Sequence, residues 1–486
     1  MAATRDPSAP PGASLDPQDW SGLRDQGHRM LDDMFDHLQT LADGPVWREP
    51  PAAARARFRA SLPVQPTDLA SAHAAFLSDV LPYGGGNGHP GFMGWVQGAG
   101  TPVGMLAEML AAGLNANLGG RDHMPIEVER QVLAWTAEMF GFPPTASGLF
   151  VTGASQANFL AVLIARTRVL GETARGAGLG AAGGRLTAYA SQAVHSCVPR
   201  ALDMAGIGSD RLRLIAVDEA HRIDLAALRA AIAADRAAGL APFLLVGSAG
   251  TVDVGAIDDL DGLADIAMAE AMSFHVDGAL GALAVLSPEL KPRLKGIERC
   301  DSLAFDFHKW GQVPYDAGFL LVRDEATHRA TFANPAVYLA RADRGMAAGD
   351  WWPCDYGPDL SRGFRALKTW FTLKTYGTAA IGAAIAHDSA LAQALAARVA
   401  VEPELELLAP VALNVVCFGY RAPDADALNA RIVADLQQAG DVAPSLTTVN
   451  GRSAIRAAFV NHRTRIKDVE TLVTSTLALG SRAARP

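Results

Sequence analysis

Hydrophobic and polar positions alternate along this chain with two different periods, and the change of period divides it into three parts. Between residues 26 and 41 the apolar Met30, Leu31, Met34, Phe35, Leu38 and Leu41 recur at helical spacing, which predicts an amphipathic helix near the start. Such a stripe must be buried on something. From about residue 91 to 376, short apolar runs such as Leu186-Thr-Ala-Tyr-Ala190 and Phe243-Leu-Leu-Val246 alternate with helical stretches. That alternation predicts an α/β domain with a mostly parallel sheet. After about Gly377 a smaller α/β unit is expected: an Ala-rich helix to Val401, a strand over 411–418, a helix over 424–439 and a strand around Ile455. The expected division is therefore 1–90 (N-terminal helical segment), 91–376 (large domain) and 377–486 (small C-terminal domain). The glycine-rich 171–184 reads as a surface connection, and no internal repeat is evident.

Composition narrows the class. In 486 residues, half of them hydrophobic, there is material for a large core. A net charge of -9 and a pI near 5.7 leave no basic footprint, so neither nucleic acid nor an anionic membrane surface is an expected partner. The opening sixteen residues are rich in Pro and Ala without a signal-type apolar core, and no later stretch is long and apolar enough to span a bilayer, so a cytoplasmic protein is expected. Cys197, Cys300, Cys354 and Cys417 lie far apart with no metal-type pairing, which fits a reducing compartment and predicts no metal site.

The candidate chemistry centres on Lys309 in Ser302-Leu-Ala-Phe-Asp-Phe-His-Lys-Trp310 and on Asp277 in Phe274-His-Val-Asp-Gly-Ala279. An amine that condenses with an aldehyde, and a carboxylate that keeps a pyridine nitrogen protonated, are what pyridoxal 5'-phosphate chemistry requires. Upstream, Phe150-Val-Thr-Gly-Ala-Ser-Gln-Ala-Asn158 reads as a strand end, a small-residue turn and a helix start. Its Gly153, Ala154 and Ser155 would cradle the cofactor phosphate at the positive end of a helix dipole. His195, just after the strand-like 186–190, is placed to stack on the pyridine ring. Thr251, at the mouth of the apolar run beginning at Phe243, is placed to touch ring substituents or the lysine.

In this order the segments resemble the group II pyridoxal-phosphate decarboxylases, which act on aromatic amino acids, glutamate, histidine and 2,4-diaminobutyrate. The resemblance runs from Gly88-His-Pro-Gly-Phe-Met-Gly-Trp95 through Glu127-Val-Glu129, the phosphate turn, His195, Thr251, Asp277 and Lys309 to Arg362-Gly-Phe-Arg365 and Val460-Asn-His-Arg-Thr464. It implies the fold-type I, aspartate aminotransferase-like architecture. It also implies a homodimer whose N-terminal segment packs on the partner, with active sites at the subunit interface. The expected reaction is decarboxylation of an L-amino acid to the amine and carbon dioxide. The same resemblance adds Ala279, Asp306 and His308 to the cofactor set, and makes Tyr338 in Asn334-Pro-Ala-Val-Tyr-Leu339 the acid that protonates Cα, although this segment has one extra residue before the tyrosine. Two departures stand out. Asp306 occupies a place where family members frequently carry asparagine, and a carboxylate near a phosphate repels it unless turned away or paired. Gln156 replaces an acidic residue common in the aromatic branch.

Substrate choice is less specified. Phe92, Trp95 and Val96 in Gly91-Phe-Met-Gly-Trp-Val-Gln-Gly98 resemble the aryl-binding segment of the aromatic decarboxylases, or are plain core. Arg121 and His123 in Asn115-Ala-Asn-Leu-Gly-Gly-Arg-Asp-His-Met-Pro125 would suit an acidic or phenolic side chain, or Arg121 and Asp122 form a structural ion pair. An aromatic substrate is the expectation, with an acidic or otherwise polar one as the alternative. An aldehyde synthase remains a rival, against which Tyr338 argues because phenylalanine often replaces it there. An aminotransferase that uses Arg456 as a carboxylate clamp is the other.

Overall fold

The computed structural model describes residues 14–334 and 340–483. Its twelve strands are β1 (Phe92–Met93), β2 (Ser147–Val151), β3 (Leu186–Ser191), β4 (Leu212–Ile215), β5 (Ala241–Ser248), β6 (Ser273–Asp277), β7 (Ser302–Asp306), β8 (Gly318–Val322), β9 (Leu405–Leu407), β10 (Val415–Tyr420), β11 (Ala443–Val449) and β12 (Arg452–Ala458). A sheet of seven has the order β2-β8-β7-β6-β5-β3-β4. Its pairs are parallel except for β8, which runs antiparallel to both β2 and β7. Strands β2, β3, β6, β7 and β8 are buried along their whole length, which is why they read as continuous apolar runs rather than alternating ones. Helix Ala154–Leu170 follows β2 and packs over β7 and β8. The C-terminal ends of β6 and β7, where ligands bind in open sheets, therefore lie beside the start of that helix.

A second sheet has the order β1-β11-β12-β10-β9 and its own core, in which Met93 packs with Leu391, Val416, Phe418 and Phe459. The apolar pattern groups residues 92–93 with the large domain, but Phe92 pairs in parallel with Ala443 of β11. A two-residue strand is too short for its period to name a partner. The junction with this region is the helix Arg365–Val401, broken at Gly377, whose backbone (φ 72, ψ 157) is open to glycine far more readily than to other residues.

The N-terminal helix spans Trp20–Gln39, with the Asp19 carboxylate accepting from the Ser21 and Gly22 N–H groups. Its apolar stripe is only half-covered within the chain. Phe58 (67% exposed), Leu62 and Val64 (85% each) extend that apolar surface through the same segment. No helix among the described residues is long and apolar enough to cross a membrane.

Candidate active site

Lys309 follows β7 directly, and Asp306 at the end of that strand meets it. Lys309 Nζ lies 2.7 Å from Asp306 Oδ2, while Asp306 Oδ1 accepts the Ala154 N–H at 2.7 Å. The carboxylate therefore caps the helix that begins at Ala154 and pairs with the lysine at the same time. Both oxygens of an aspartate that would otherwise repel a phosphate are thereby engaged. Burial works against the Lys309 charge, but Asp306 and Asp277 outweigh it and hold the ammonium above the ordinary lysine range. His308 Nδ1 accepts the Ala317 N–H at 3.0 Å, and its ring sits 4.2 Å from that of Tyr315. Burial keeps this imidazole below its usual range and hence neutral. The chain closes so tightly here that a Cβ on Gly98 would lie 2.3 Å from the His308 carbonyl oxygen, and one on Gly318 would lie 2.3 Å from Gly153 Cα.

Asp277 ends β6. Its carboxylate accepts the Ala279 N–H at 3.1 Å and the Asn158 side-chain amide at 3.1 Å. Burial holds it above the usual carboxylate range, opposed by the Ala279 N–H and by Lys309 and His195. Asn158 Oδ1 lies 2.6 Å from His275 Nε2, and His275 Nδ1 lies 2.8 Å from the Ser302 hydroxyl. Motif order and spacing do not single out Asn158, His275 and Ser302. A signal is nonetheless present for two of them: His275 stands two residues before Asp277, on the same face of the strand, and Asn158 stands one helical turn after Ala154.

These groups surround a cavity of about 510 Å³ whose walls include Gly153, Ala154, Ser155, His195, Thr251, Asp277, Ala279, Asp306, His308 and Lys309. Every residue expected to bind cofactor is thereby brought to one place. Thr251 is pinned there, its hydroxyl accepting the Ala256 N–H at 3.0 Å. His195 Nδ1 accepts the Cys197 N–H at 3.2 Å. Cys197 is a buried thiol pushed up to about 12 by desolvation.

At the mouth stand Trp95, Val96, Gln97, Asp253, Tyr315 and Leu446. Trp95 is 56% exposed and has φ +47, an uncommon conformation for a bulky residue. It is held from both sides: its N–H donates to Ser445 Oγ at 3.2 Å, and its carbonyl accepts from Arg456 Nη1 at 2.8 Å. Arg456 also donates to the carbonyls of Val252 (2.6 Å) and Asp253 (3.0 Å). The guanidinium thus braces the mouth, with three of its five N–H groups engaged by main-chain carbonyls. Asp253, Gln97 and Tyr315 carry no recognisable spacing signal. One Asp253 carboxylate oxygen is buried without a hydrogen-bond partner.

Three expected substrate contacts are placed elsewhere in the single chain. Phe92 is core, buried with Val46 and Ala443, because its pairing in β1 turns it from the cavity. Arg121 stacks over the Trp352 ring at 4.7 Å, with Arg341 at 5.1 Å from the same ring. His123 is the residue before helix Met124–Phe140. Neither Arg121 nor His123 lines the cavity of this chain, and no ion pair joins Arg121 to Asp122 among the described residues. Tyr338 lies outside the described residues.

An amine paired with one carboxylate and within the field of a second, beside a helix N-terminus and with a histidine in the same wall, fits pyridoxal phosphate: aldehyde, ring nitrogen and phosphate each find a complementary group. Comparison with known proteins agrees. Residues 55–421 match the family described as the pyridoxal-dependent decarboxylase conserved domain. The chain is 31% identical over 468 residues to the aromatic-L-amino-acid decarboxylase of Bacillus atrophaeus, covering 94% of this chain and 95% of that one. It is 29% identical over 479 residues to the phenylacetaldehyde synthase of Arabidopsis thaliana, covering 94% and 96%. Among solved structures, that of Oryza sativa TDC with PLP and tryptamine superposes with a TM-score of 0.89 at 25% identity, covering 97% of this chain and 100% of that one. Fold, cavity and relatives converge, and the chain belongs to the pyridoxal-dependent decarboxylases, fold-type I enzymes of the carboxy-lyase class that depend on pyridoxal phosphate.

Proposed function

We propose that the protein decarboxylates an aromatic L-amino acid, releasing the amine and carbon dioxide. The observation that carries this reading is the cavity itself: Lys309 and its two carboxylates form one side, and Trp95, Val96 and Leu446 line the mouth with apolar surface. Pyridoxal phosphate, when bound, supplies the electron sink that makes loss of carbon dioxide feasible. Lys309 would hold it. Asp277 would pair with its ring nitrogen, His195 would cover its ring, and Gly153, Ser155 and the dipole of helix Ala154–Leu170 would take its phosphate.

The engagement of Arg456 by carbonyls supports decarboxylation over transamination. A substrate carboxylate that meets no dedicated cation is less stabilised in the ground state, which favours its departure. Tyr338 is assigned the protonation of Cα. The half-covered stripe of the first helix, together with Phe58, Leu62 and Val64, supports a homodimer that buries this surface. Arg121 and His123, outside this chain's own cavity, are then available to the partner's.

The phenylacetaldehyde synthase among the relatives keeps the oxidative rival in view, and one experiment separates the two. Protein purified with pyridoxal phosphate is incubated with aromatic, acidic and basic L-amino acids, and carbon dioxide, amine, aldehyde and peroxide are measured together. Amine from tyrosine, tryptophan or dihydroxyphenylalanine without peroxide is the expected result. Amine from an acidic substrate alone would overturn the aromatic assignment, and aldehyde with peroxide would overturn the amine product. Tyr338→Phe is expected to keep releasing carbon dioxide while diverting product from amine to aldehyde. An unchanged amine yield would remove Tyr338 from the mechanism.

A further inference from the structure

Beside Asp277, and leading away from the cavity, polar groups are joined in a line through an otherwise apolar core. Asn158 and His275 are each 1% exposed and Ser302 6%. They come from three elements: Asn158 from helix Ala154–Leu170, His275 from β6 and Ser302 from β7, where His275 and Ser302 are register partners. An imidazole and an amide buried this deeply cost stability unless hydrogen-bonded, and apolar side chains of similar size would fill the same space without that requirement. Their presence calls for a function.

We propose that Asn158, His275 and Ser302 are positioning residues that keep Asp277 an ionised hydrogen-bond acceptor toward the cofactor's protonated ring nitrogen. The inference rests on the role given to Asp277 above. Hydrogen-bond directions follow from the chemistry of each group. An ionised Asp277 can only accept, so the group 3.1 Å from its Oδ2 must be the Asn158 NH₂, whose second proton points to Cys197 Sγ at 3.2 Å. The Asn158 carbonyl then faces His275 Nε2 at 2.6 Å and requires a proton on that nitrogen. Burial holds His275 down to about 4, so its ring is neutral; with the one proton on Nε2, the bare Nδ1, 3.1 Å from the Ser302 carbonyl and 2.8 Å from the Ser302 hydroxyl, accepts from the hydroxyl.

Every donor in the line thus points toward Asp277, and the Ala279 N–H adds another on Oδ1. The reverse polarity would turn the Asn158 carbonyl to Asp277 and force a proton onto the carboxyl. A protonated Asp277 could not accept the hydrogen bond of a protonated ring nitrogen, and that ring proton is what would make the cofactor an electron sink. The line has a second consequence, because Asn158 sits on the helix that carries the phosphate turn. The same rigid element sets both the phosphate and, one turn later, the orientation of the carboxylate under the ring.

The test uses the holoenzyme with cofactor labelled with ¹⁵N in the ring, and reads two quantities besides activity: the ring-nitrogen chemical shift and the dissociation constant for pyridoxal phosphate. Asn158→Leu is nearly isosteric and removes the donor to Oδ2. It is expected to weaken cofactor binding about ten-fold or more and to move the nitrogen resonance toward unprotonated pyridine. Ser302→Ala, a one-atom change that spares the packing, is expected to move both in the same direction by less, and Ser302→Thr to restore them. Wild-type affinity and an unmoved resonance in Ser302→Ala and Asn158→Leu would overturn the proposal. So would a lowered melting temperature with an unmoved resonance, the mark of a merely structural network. Decarboxylation is scored separately: its absence in the wild type would defeat the reaction proposed above, while a moved resonance in the variants would still support the line of donors.

Discussion

The floor of the cavity and its mouth are built on opposite terms. On the floor, Lys309 pairs with Asp306 at 2.7 Å and Asn158 with Asp277 at 3.1 Å, and each is delivered by a strand end, the turn after it or a helix turn beside the large sheet. At the mouth, Trp95 stands 56% exposed in a left-handed backbone conformation, secured by Ser445 and Arg456 of the small sheet, and an Asp253 oxygen has no partner. The floor is a set of mutually satisfied charges, which is what a reaction shared by a whole family needs. The mouth is held by a few main-chain contacts between domains, which can change without disturbing the floor.

The sharpest way to break this contrast is at the floor. Lys309→Ala is expected to abolish the visible absorption of bound cofactor and to lower turnover by orders of magnitude, read by absorbance and carbon dioxide release. Turnover at the native rate would defeat the assignment. Nearly as large is a stability effect behind the phosphate turn. Arg362 and Glu129, each 1% exposed in its side chain, pair at 2.6 and 3.1 Å, and Arg362 also donates to the Leu118 and Phe150 carbonyls. Glu129→Ala leaves a buried guanidinium unpaired and is expected to cost about 3–5 kcal/mol in denaturant unfolding.

The mouth should respond more mildly. Lysine cannot span the three carbonyls that Arg456 reaches, so Arg456→Lys is expected to raise KM about ten-fold with a smaller effect on kcat. Equal losses in kcat and kcat/KM would show instead that Arg456 acts on the reacting atoms. Apart from both regions stands a pH dependence of stability. Asp388, fully buried with one bond to the Trp310 indole, is raised by burial to about 8. The folded protein therefore keeps a proton that the unfolded chain releases above roughly pH 4, so this group makes stability fall as pH rises from about 4 to about 8, by at most about 1.4 kcal/mol per pH unit. Asp388→Asn is expected to flatten that part of the melting-temperature profile. An unchanged slope would show that Asp388 is ionised in the fold.

Much of the floor is legible in the sequence. Lys309, Asp277 and the Gly153–Ser155 turn are local signals at strand ends and a helix start, and their order along the chain is itself informative. The carboxylate of Asp306, so close to a phosphate turn, demands a partner on sequence grounds alone, and the fold provides two. What cannot be read is which distant groups meet. Asn158 reaches Asp277 across 119 residues, and Arg456 reaches Trp95 across 361. Phe92, placed by pattern in an aryl slot, is drawn into the small sheet by a two-residue pairing.

By itself the chain's sequence determined the α/β alternation, the family and which lysine and carboxylate would share one cavity, because period, turn chemistry and motif order act over short spans. Tertiary structure alone decided that Asp306 serves both helix and lysine, that three buried polar side chains lie in a line behind Asp277, and that Arg456 braces the mouth. Those outcomes depend on which hydrogen-bonding groups are buried together, and burial is settled by packing between elements that carry no mark of one another in the sequence.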